Sequence, residues 1–458
     1  MPSTLPSLLV ALICIICLGG RASASVIIVK NLGDSGAGSL RAAVAIANET
    51  PGEDVIRFRG DLKGKIKLTS GQLEITGPLT IAGPGETRLT VSGGKVSRIF
   101  LIRPDVEVSI KDLTIADGRN TVQDNISIVV TRGGAILNDG GKLNLLRVTM
   151  SNNVTINNTN SDVVGGGAIV NSGFATLTAT NCQFINNVAC GGKRYAFGGA
   201  IGNVTESVAI IEDCIFKDNL VTSGSTSYGG AIGNFGGSKL TAIDCKFDEN
   251  TASGIEFGEK AFGGAIATRP GTVDGSGSRT LIENCLLIAN LSVGAVGGTG
   301  QPGADAGGGA IYNFNSTLIA ASSTLLENEA VGGNGDNSGG SAYGGAVLVA
   351  GTGANLAPQV EIRRCDFLEN IASGGSPGSE IAGLALGGAL HNSSSCWIDL
   401  RESTISGNCA DGGQLGQGIG GGVYTFGIVT ADNRTIRRIV DNKASTSNDN
   451  VFGTITKD

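Results

Sequence analysis

Gly198-Gly199-Ala200-Ile201-Gly202-Asn203 is a phrase that this chain repeats. Close copies stand at Gly133-Gly134-Ala135-Ile136, Gly166-Gly167-Ala168-Ile169, Gly229-Gly230-Ala231-Ile232, Gly263-Gly264-Ala265-Ile266 and Gly308-Gly309-Ala310-Ile311. Looser ones follow at Gly344-Gly345-Ala346-Val347, Gly387-Gly388-Ala389-Leu390 and Gly421-Gly422-Val423-Tyr424. From Ala135 to Ala389 the alanine-to-alanine steps are 33, 32, 31, 34, 45, 36 and 43 residues. A fixed core with variable padding is the mark of a solenoid whose stacked units each bury a face against the next.

A second signature follows most copies. It reads Asn181-Cys182-Gln183-Phe184 ending at Asn187, then Asp213-Cys214-Ile215-Phe216 ending at Asn219. It recurs around Cys245, Cys285 and Cys365, and Ser323 and Ser403 keep the frame where cysteine is replaced. Apolar pairs such as Leu177/Ala179 and Leu240/Ala242 precede it at alternate positions. One coil therefore reads as three short strands: the Ile-x-Asn strand, the apolar-x-apolar strand and the Cys-x-Phe strand. Coils stacked ~4.8 Å apart turn every recurring position into a ladder. Isoleucine, phenylalanine and cysteine ladders fill a narrow core. Asparagine ladders form at two corners, one through Asn187, Asn219, Asn250, Asn290, Asn328, Asn370 and Asn408, the other through Asn138, Asn171, Asn203, Asn234, Asn313 and Asn392. Stacked amides satisfy one another and the turn backbone. The expected fold is all-β, a single-stranded right-handed parallel β-helix over 61–458.

Ahead of the repeats, Val26–Val29 reads as a strand, and Ser39 as the N-cap of a short helix over roughly Leu40–Asn48. Leu40, Ala43, Val44 and Ala47 share one face of that helix, suited to covering the open end of a solenoid. Strand, loop and helix form an N-terminal cap over 25–60. From Val55 onward, alternating segments such as Leu73-Glu74-Ile75 and Leu79-Thr80-Ile81 lie between Gly/Pro turns. Residues 1–24 read as a signal peptide: an apolar run from Leu8 to Leu18, then Ala22-Ser23-Ala24 as a cleavage site. A secreted or cell-surface location is expected, with no transmembrane segment in the mature chain.

Composition narrows the function classes. Aromatic residues are 4% of the chain and the net charge is −7, both unlike a nucleic-acid binder. Hydrophobic content of 41% excludes a disordered chain.

Gly38-Ser39-Leu40-Arg41-Ala42-Ala43 and the following Pro51–Phe58 stretch resemble the start of CSLREA-type β-helix surface proteins, with Gly38 where that motif has cysteine. The GGAI and F-x-x-N pairs are similar to passenger repeats of polymorphic outer membrane proteins, in the pectin-lyase-like superfamily. The resemblance implies adhesion or recognition at a cell surface. No membrane barrel is read after the last coil, which ends at Asp458. The same superfamily contains polysaccharide lyases, hydrolases and epimerases, so degradation of a polysaccharide is the alternative expectation.

No residue set reads as catalytic, cofactor-binding or metal-binding. Charged residues are 16%, without an acidic cluster of the kind that lyases use for Ca²⁺ or hydrolases for paired-carboxylate chemistry. His391, the only histidine, occupies the variable position between the core residues of its repeat and reads as outward surface decoration. Eight cysteines remain after leader removal; a buried thiol stack is favoured over disulfides. Gly332-Gly333-Asn334-Gly335-Asp336 resembles one fragment of a calcium-binding repeat and reads as a loop. The padding between each terminal asparagine and the next GGAI, as in Leu220–Tyr228, Thr251–Phe262 and Ile371–Leu386, is expected to form a comb of loops along one face, the place for recognition. The candidate partner is an extracellular polysaccharide or cell-surface glycan. The sequence leaves the oligomeric state and the question of enzymatic activity open, with binding preferred and a purely structural envelope or matrix component as the third reading.

Overall fold

A computed structural model of the chain describes residues 24–122, 131–157, 163–191, 194–271, 277–352, 359–379, 381–413 and 415–458. The leader read at 1–24 lies almost wholly outside them. The described part is a parallel β-helix in which every strand pairing is with a neighbouring coil.

The coil from Ile201 to Ala231 shows the plan. Ile201–Asn203 lies on a first face of the solenoid, Val208–Glu212 on a second and Ile215–Lys217 on a third. The second and third faces are one sheet, which the long strands Glu107–Ala116 and Lys142–Ser151 carry through the corner. Pairings Ile201↔Ile232, Ala209↔Leu240 and Phe216↔Phe247 keep identical repeat positions in register. Two residues separate the second and third strands, and the first of them, Asp213 at φ 52°, turns the corner in the left-handed region; Asp218 at φ 55° makes the next corner. Asp and Asn tolerate that conformation better than most residues.

The three-strand reading of the coil is incomplete. Two further strands, Leu220–Ser223 and Thr226–Tyr228, occupy the padding and pair coil to coil through Leu220↔Thr251 and Ser227↔Ala261. The comb of loops is therefore corrected to two further sheets, the fourth and the fifth by face, with loops only between them. The cause is packing. Ala189, Val221, Ala252 and Ala261 are fully buried between these two sheets, and so are Ala330, Ala342, Ala372, Ala385 and Ala410 farther along. Small side chains let the sheets approach closely and form a second, narrow compartment.

The main compartment holds the expected ladders. Phe184, Phe216 and Phe247 stack with centroids 4.6 and 4.9 Å apart. Burying each ring contributes roughly 1.5–3 kcal/mol. Asn219 Nδ2 donates to Asn250 Oδ1 at 2.9 Å, and the same link runs without a break from Asn153 to Asn450. The second ladder joins Asn138, Asn171, Asn203 and Asn234, then breaks where Thr268 and Val349 replace asparagine. The eight cysteines are all free thiols, and Cys182, Cys214, Cys245, Cys285 and Cys365 are buried in the ladder. Burial pushes the Cys365 thiol up to about 11, so it stays protonated.

At the N-terminal end, helix Leu40–Glu49 covers the core with Leu40, Ala43, Val44 and Ala47, and Ser39 Oγ accepts from the Ala42 N–H at 3.2 Å. The cap is continuous with the coils: Val26–Val29 pairs with Asp54–Phe58, which pairs with Leu79–Ala82. No helix among the described residues is long and apolar enough to cross a membrane.

Candidate functional site

The variable residue of the Ile-x-Asn strand points away from the main core, as strand alternation requires. The outward residue of the fifth-sheet strand points away from the narrow compartment. The glycine pair joins these strands at a corner, Gly229 at φ 67°, so the two outward faces form one exterior angle along the solenoid. That angle is lined with aromatic rings. Phe197, Tyr228, Phe235 and Tyr312 are packed there with Tyr195, Phe262, Phe314 and Tyr343 around them. His391, Tyr424, Phe426 and Phe452 extend the column.

All five tyrosines of the chain and its one histidine lie in this column. Phe262 and Tyr312 stack at 4.8 Å, His391 and Tyr424 at 5.1 Å, and Tyr424 and Phe452 at 4.7 Å. Phe426 stands edge-on to Tyr424 and is 64% exposed. Glycines make room for rings: a Cβ on Gly202 or Gly233 would sit 2.7 or 2.8 Å from the Phe197 ring. Where the fifth sheet has Gly307, Leu348 takes the space instead, 2.5 Å from the position of a Cβ.

The polar chemistry here is sparse and specific. Burial pushes the phenols of Tyr195, Tyr312, Tyr343 and Tyr424 above their ordinary value, so at neutral pH they are hydroxyl donors and acceptors. Asp305 bears on Tyr343, and Lys260 Nζ holds its carboxylate at 2.7 Å. The Arg269 guanidinium lies 4.5 Å from the Tyr228 centroid, 5.4 Å from that of Phe314 and 5.9 Å from that of Phe235. Its Nε is buried without a hydrogen bond, and no carboxylate among the described residues pairs with it.

His391 does point out of the main core, yet it is not surface decoration. It is 7% exposed, held between Tyr424 on its face and Tyr343 edge-on at 5.2 Å. Burial lowers its pKa to about 4, so the ring is neutral and a poor general base at neutral pH. Among the described residues no group of three or more His, Cys, Asp or Glu is gathered to hold a metal ion. The Gly332–Asp336 segment lies in a loop, where Asp336 Oδ2 accepts from the Gly300 N–H at 2.7 Å.

The sequence reading placed recognition in the padding and missed this column. Four of its rings, Phe197, Tyr228, Phe262 and Tyr343, belong to padding segments, each directly before a double glycine. That recurring aromatic was the available signal. Tyr195 is in padding too. Tyr312, His391, Tyr424 and Phe452 occupy the variable strand position, where Gly202 and Ala267 also stand, and Phe235, Phe314 and Phe426 directly follow the ladder position, so these share no readable pattern.

No family model matches the chain, and no curated protein matches it. Among solved structures it is similar to ORF18 of Geobacillus virus E2, at 11% identity over 82% of this chain and 57% of that one, with a TM-score of 0.36. It is also similar to tailspike protein 3 of bacteriophage CBA120, at 14% identity over 81% of this chain and 56% of that one, TM-score 0.33. A third is the catalytic unit of a GH87 α-1,3-glucanase from Streptomyces thermodiastaticus, at 12% identity over 96% of this chain and 70% of that one, TM-score 0.35. The chain thus spans less than two thirds of the first two. A likeness of this depth assigns neither substrate nor activity.

Proposed function

We propose that this chain is a secreted or surface-associated recognition protein whose aromatic column binds a glycan. One observation carries the reading: all five tyrosines and the single histidine are gathered on one exterior face of a chain with only 4% aromatic residues. Phe197, Tyr228, Phe235, Tyr312 and Tyr424 are buried against their neighbours. The surface offered to a ligand is therefore the half-buried Tyr195, Phe262, Phe314, Tyr343 and Phe452 and the exposed Phe426, an apolar strip of the kind that marks an interaction site. Rings that carry hydroxyls combine an apolar body with a polar handle, which suits sugars, whose C–H faces and hydroxyl edges need both. Repetition along the solenoid suits a repetitive polymer. The export reading rests on residues 1–24. The likeness to CSLREA-type and polymorphic outer membrane protein repeats supports work at a cell surface. The alternative of a polysaccharide lyase or hydrolase gains nothing from the column, whose histidine is a poor base and whose arginine pairs with no carboxylate among the described residues.

A glycan microarray with the full chain tests the reading. Binding is expected, strongly reduced by Phe426→Ser and Tyr343→Ala, and retained by Leu415→Ser, at an 84% exposed residue in the loop between the fourth and fifth sheets. Unchanged binding by both column variants would move the site elsewhere. Unsaturated or reducing ends released from a bound polymer would make the protein an enzyme.

A further inference from the structure

Among the described residues Arg269 is the one arginine set against aromatic rings. Arg41, Arg147 and Arg401 each hold a carboxylate, at 2.8, 2.6 and 2.8 Å. Arg269 instead projects from the outward end of strand Ile266–Arg269, between Phe235 on the preceding coil and Phe314 on the next. Its guanidinium lies against those rings and Tyr228. A cation beside aromatic faces is attracted to them, but the attraction satisfies none of its N–H donors. The buried Nε lacks an acceptor, an uncompensated cost that native folds rarely retain without a use. Guanidinium forks match carboxylate and sulfate oxygens better than any neutral sugar hydroxyl.

We infer that Arg269 is an anion-recognition point within the aromatic column, so that the glycan is acidic and presents a carboxylate or sulfate ester there. The inference rests on the glycan reading and narrows it. The occupant is a polymer bearing spaced acidic residues rather than a uniformly charged one. The chain carries a net charge of −7, which repels a dense polyanion, whereas a single acidic sugar needs one local partner. Neighbouring sugars would then lie along the rings on either side.

Affinity gel electrophoresis of the full chain tests this, using gels cast with purified neutral, uronate-containing or sulfated polysaccharides. Retardation is expected in the acidic gels and weak or absent in the neutral ones. Arg269→Gln should weaken the acidic interaction about tenfold or more. Arg269→Lys should restore part of it, since it keeps the charge but loses the fork. The uronate and sulfated gels separate the two anion sources. A merely structural arginine would lower the melting temperature in the Gln variant while leaving the ratio of acidic to neutral retardation unchanged, and that result would overturn the inference. Retardation of the wild type in neutral gels alone would overturn it too, leaving glycan binding intact. No retardation in any gel would remove the glycan reading itself.

Discussion

Asp34 Oδ1 accepts from Arg41 Nη2 at 2.8 Å, while Asp34 Oδ2 accepts from the Thr69 and Ser70 N–H groups at 2.9 and 2.8 Å. Arg41 reaches on to the Gly71 and Gln72 carbonyls at 2.6 and 3.1 Å. One ion pair thus fastens the capping helix to the first coils. Burial acts to raise the Asp34 pKa, but the hydrogen bonds from Thr69, Ser70 and Arg41 outweigh it and hold the carboxyl well below its usual range. The folded state therefore binds this proton less readily than the unfolded one. The stabilisation is full above about pH 4 and is lost as pH falls further. Asp34→Ala should cost on the order of 1–3 kcal/mol at pH 7 and much less near pH 2, read by urea unfolding at both pH values. Equal losses at both would show that the charge is irrelevant.

The Asn250 side chain makes four buried hydrogen bonds. Its Nδ2 donates to Asn290 Oδ1 and to the Phe216 carbonyl, each at 2.9 Å, and its Oδ1 accepts from the Asn219 side chain and N–H at 2.9 and 3.2 Å. Asn250→Ala strands groups on both neighbouring coils and should destabilise by about 2–4 kcal/mol. Asn450→Ala, at the last rung and at an exposed residue, should cost less than half as much. The check is the two denaturant midpoints measured side by side.

The second ladder supports a prediction of opposite sign. Its side-chain oxygens are orphaned at Asn138, Asn313 and Asn392, where each run begins after Ile102, Thr268 or Val349. Val349 pairs with Asn313 on one side and Asn392 on the other and is fully buried. Val349→Asn places an amide between them, able to accept from Asn313 and donate to Asn392. Thermal denaturation should show a gain of about 1 kcal/mol. A loss would mean that the valine's packing outweighs the restored ladder.

Both ladders were legible in the sequence because Asn219 and Asn203 recur at fixed places inside a segment of constant length. The capping helix was legible because Ser39 and the Leu40/Ala43/Val44/Ala47 face are local signals. Strands Leu220–Ser223 and Thr226–Tyr228 were not, since four and three residues of mixed small side chains have no period to read. Their strand state comes from pairing with the next coil, a long-range cause. The aromatic column was hidden for a related reason: Tyr228 and Tyr312 meet at 5.9 Å although they come from different sheets of different coils.

His391 gives the column a pH signature. With a folded-state pKa of about 4 against 6.5 for a free ring, the unfolded chain takes up a proton first as the solution is acidified. Stability is unaffected above about pH 7 and falls as pH drops from 6.5 toward 4, by about 3 kcal/mol in full. His391→Phe keeps a ring between Tyr343 and Tyr424 and removes the titration. The difference in unfolding free energy between variant and wild type should grow by about 2–3 kcal/mol in the variant's favour between pH 7.5 and pH 4.5. A constant difference would mean that the ring reaches solvent.

The loops between the fourth and fifth sheets are themselves packed, and glycine is the reason. The Gly333 N–H donates to the Ala304 carbonyl at 2.8 Å, Gly340 to Gly333 at 2.8 Å, Gly375 to Gly340 at 2.9 Å and Gly383 to Gly375 at 2.9 Å. Outgoing and returning legs of three successive coils thereby form one hydrogen-bonded series. A Cβ on Gly340 would fall 2.0 Å from the Ala304 carbonyl oxygen, and one on Gly383 1.8 Å from that of Gly340. Those obstacles are backbone, which cannot swing aside as a side chain can. Gly340→Ala should therefore force the legs apart at a cost of about 1–3 kcal/mol. The effect should be local, because the asparagine and phenylalanine ladders lie in the other compartment. Hydrogen exchange should show faster exchange at Gly333, Gly375 and Gly383 with unchanged protection at Phe247 and Leu325. Uniform loss of protection along the solenoid would show instead that the glycine stack and the main core unfold as one unit.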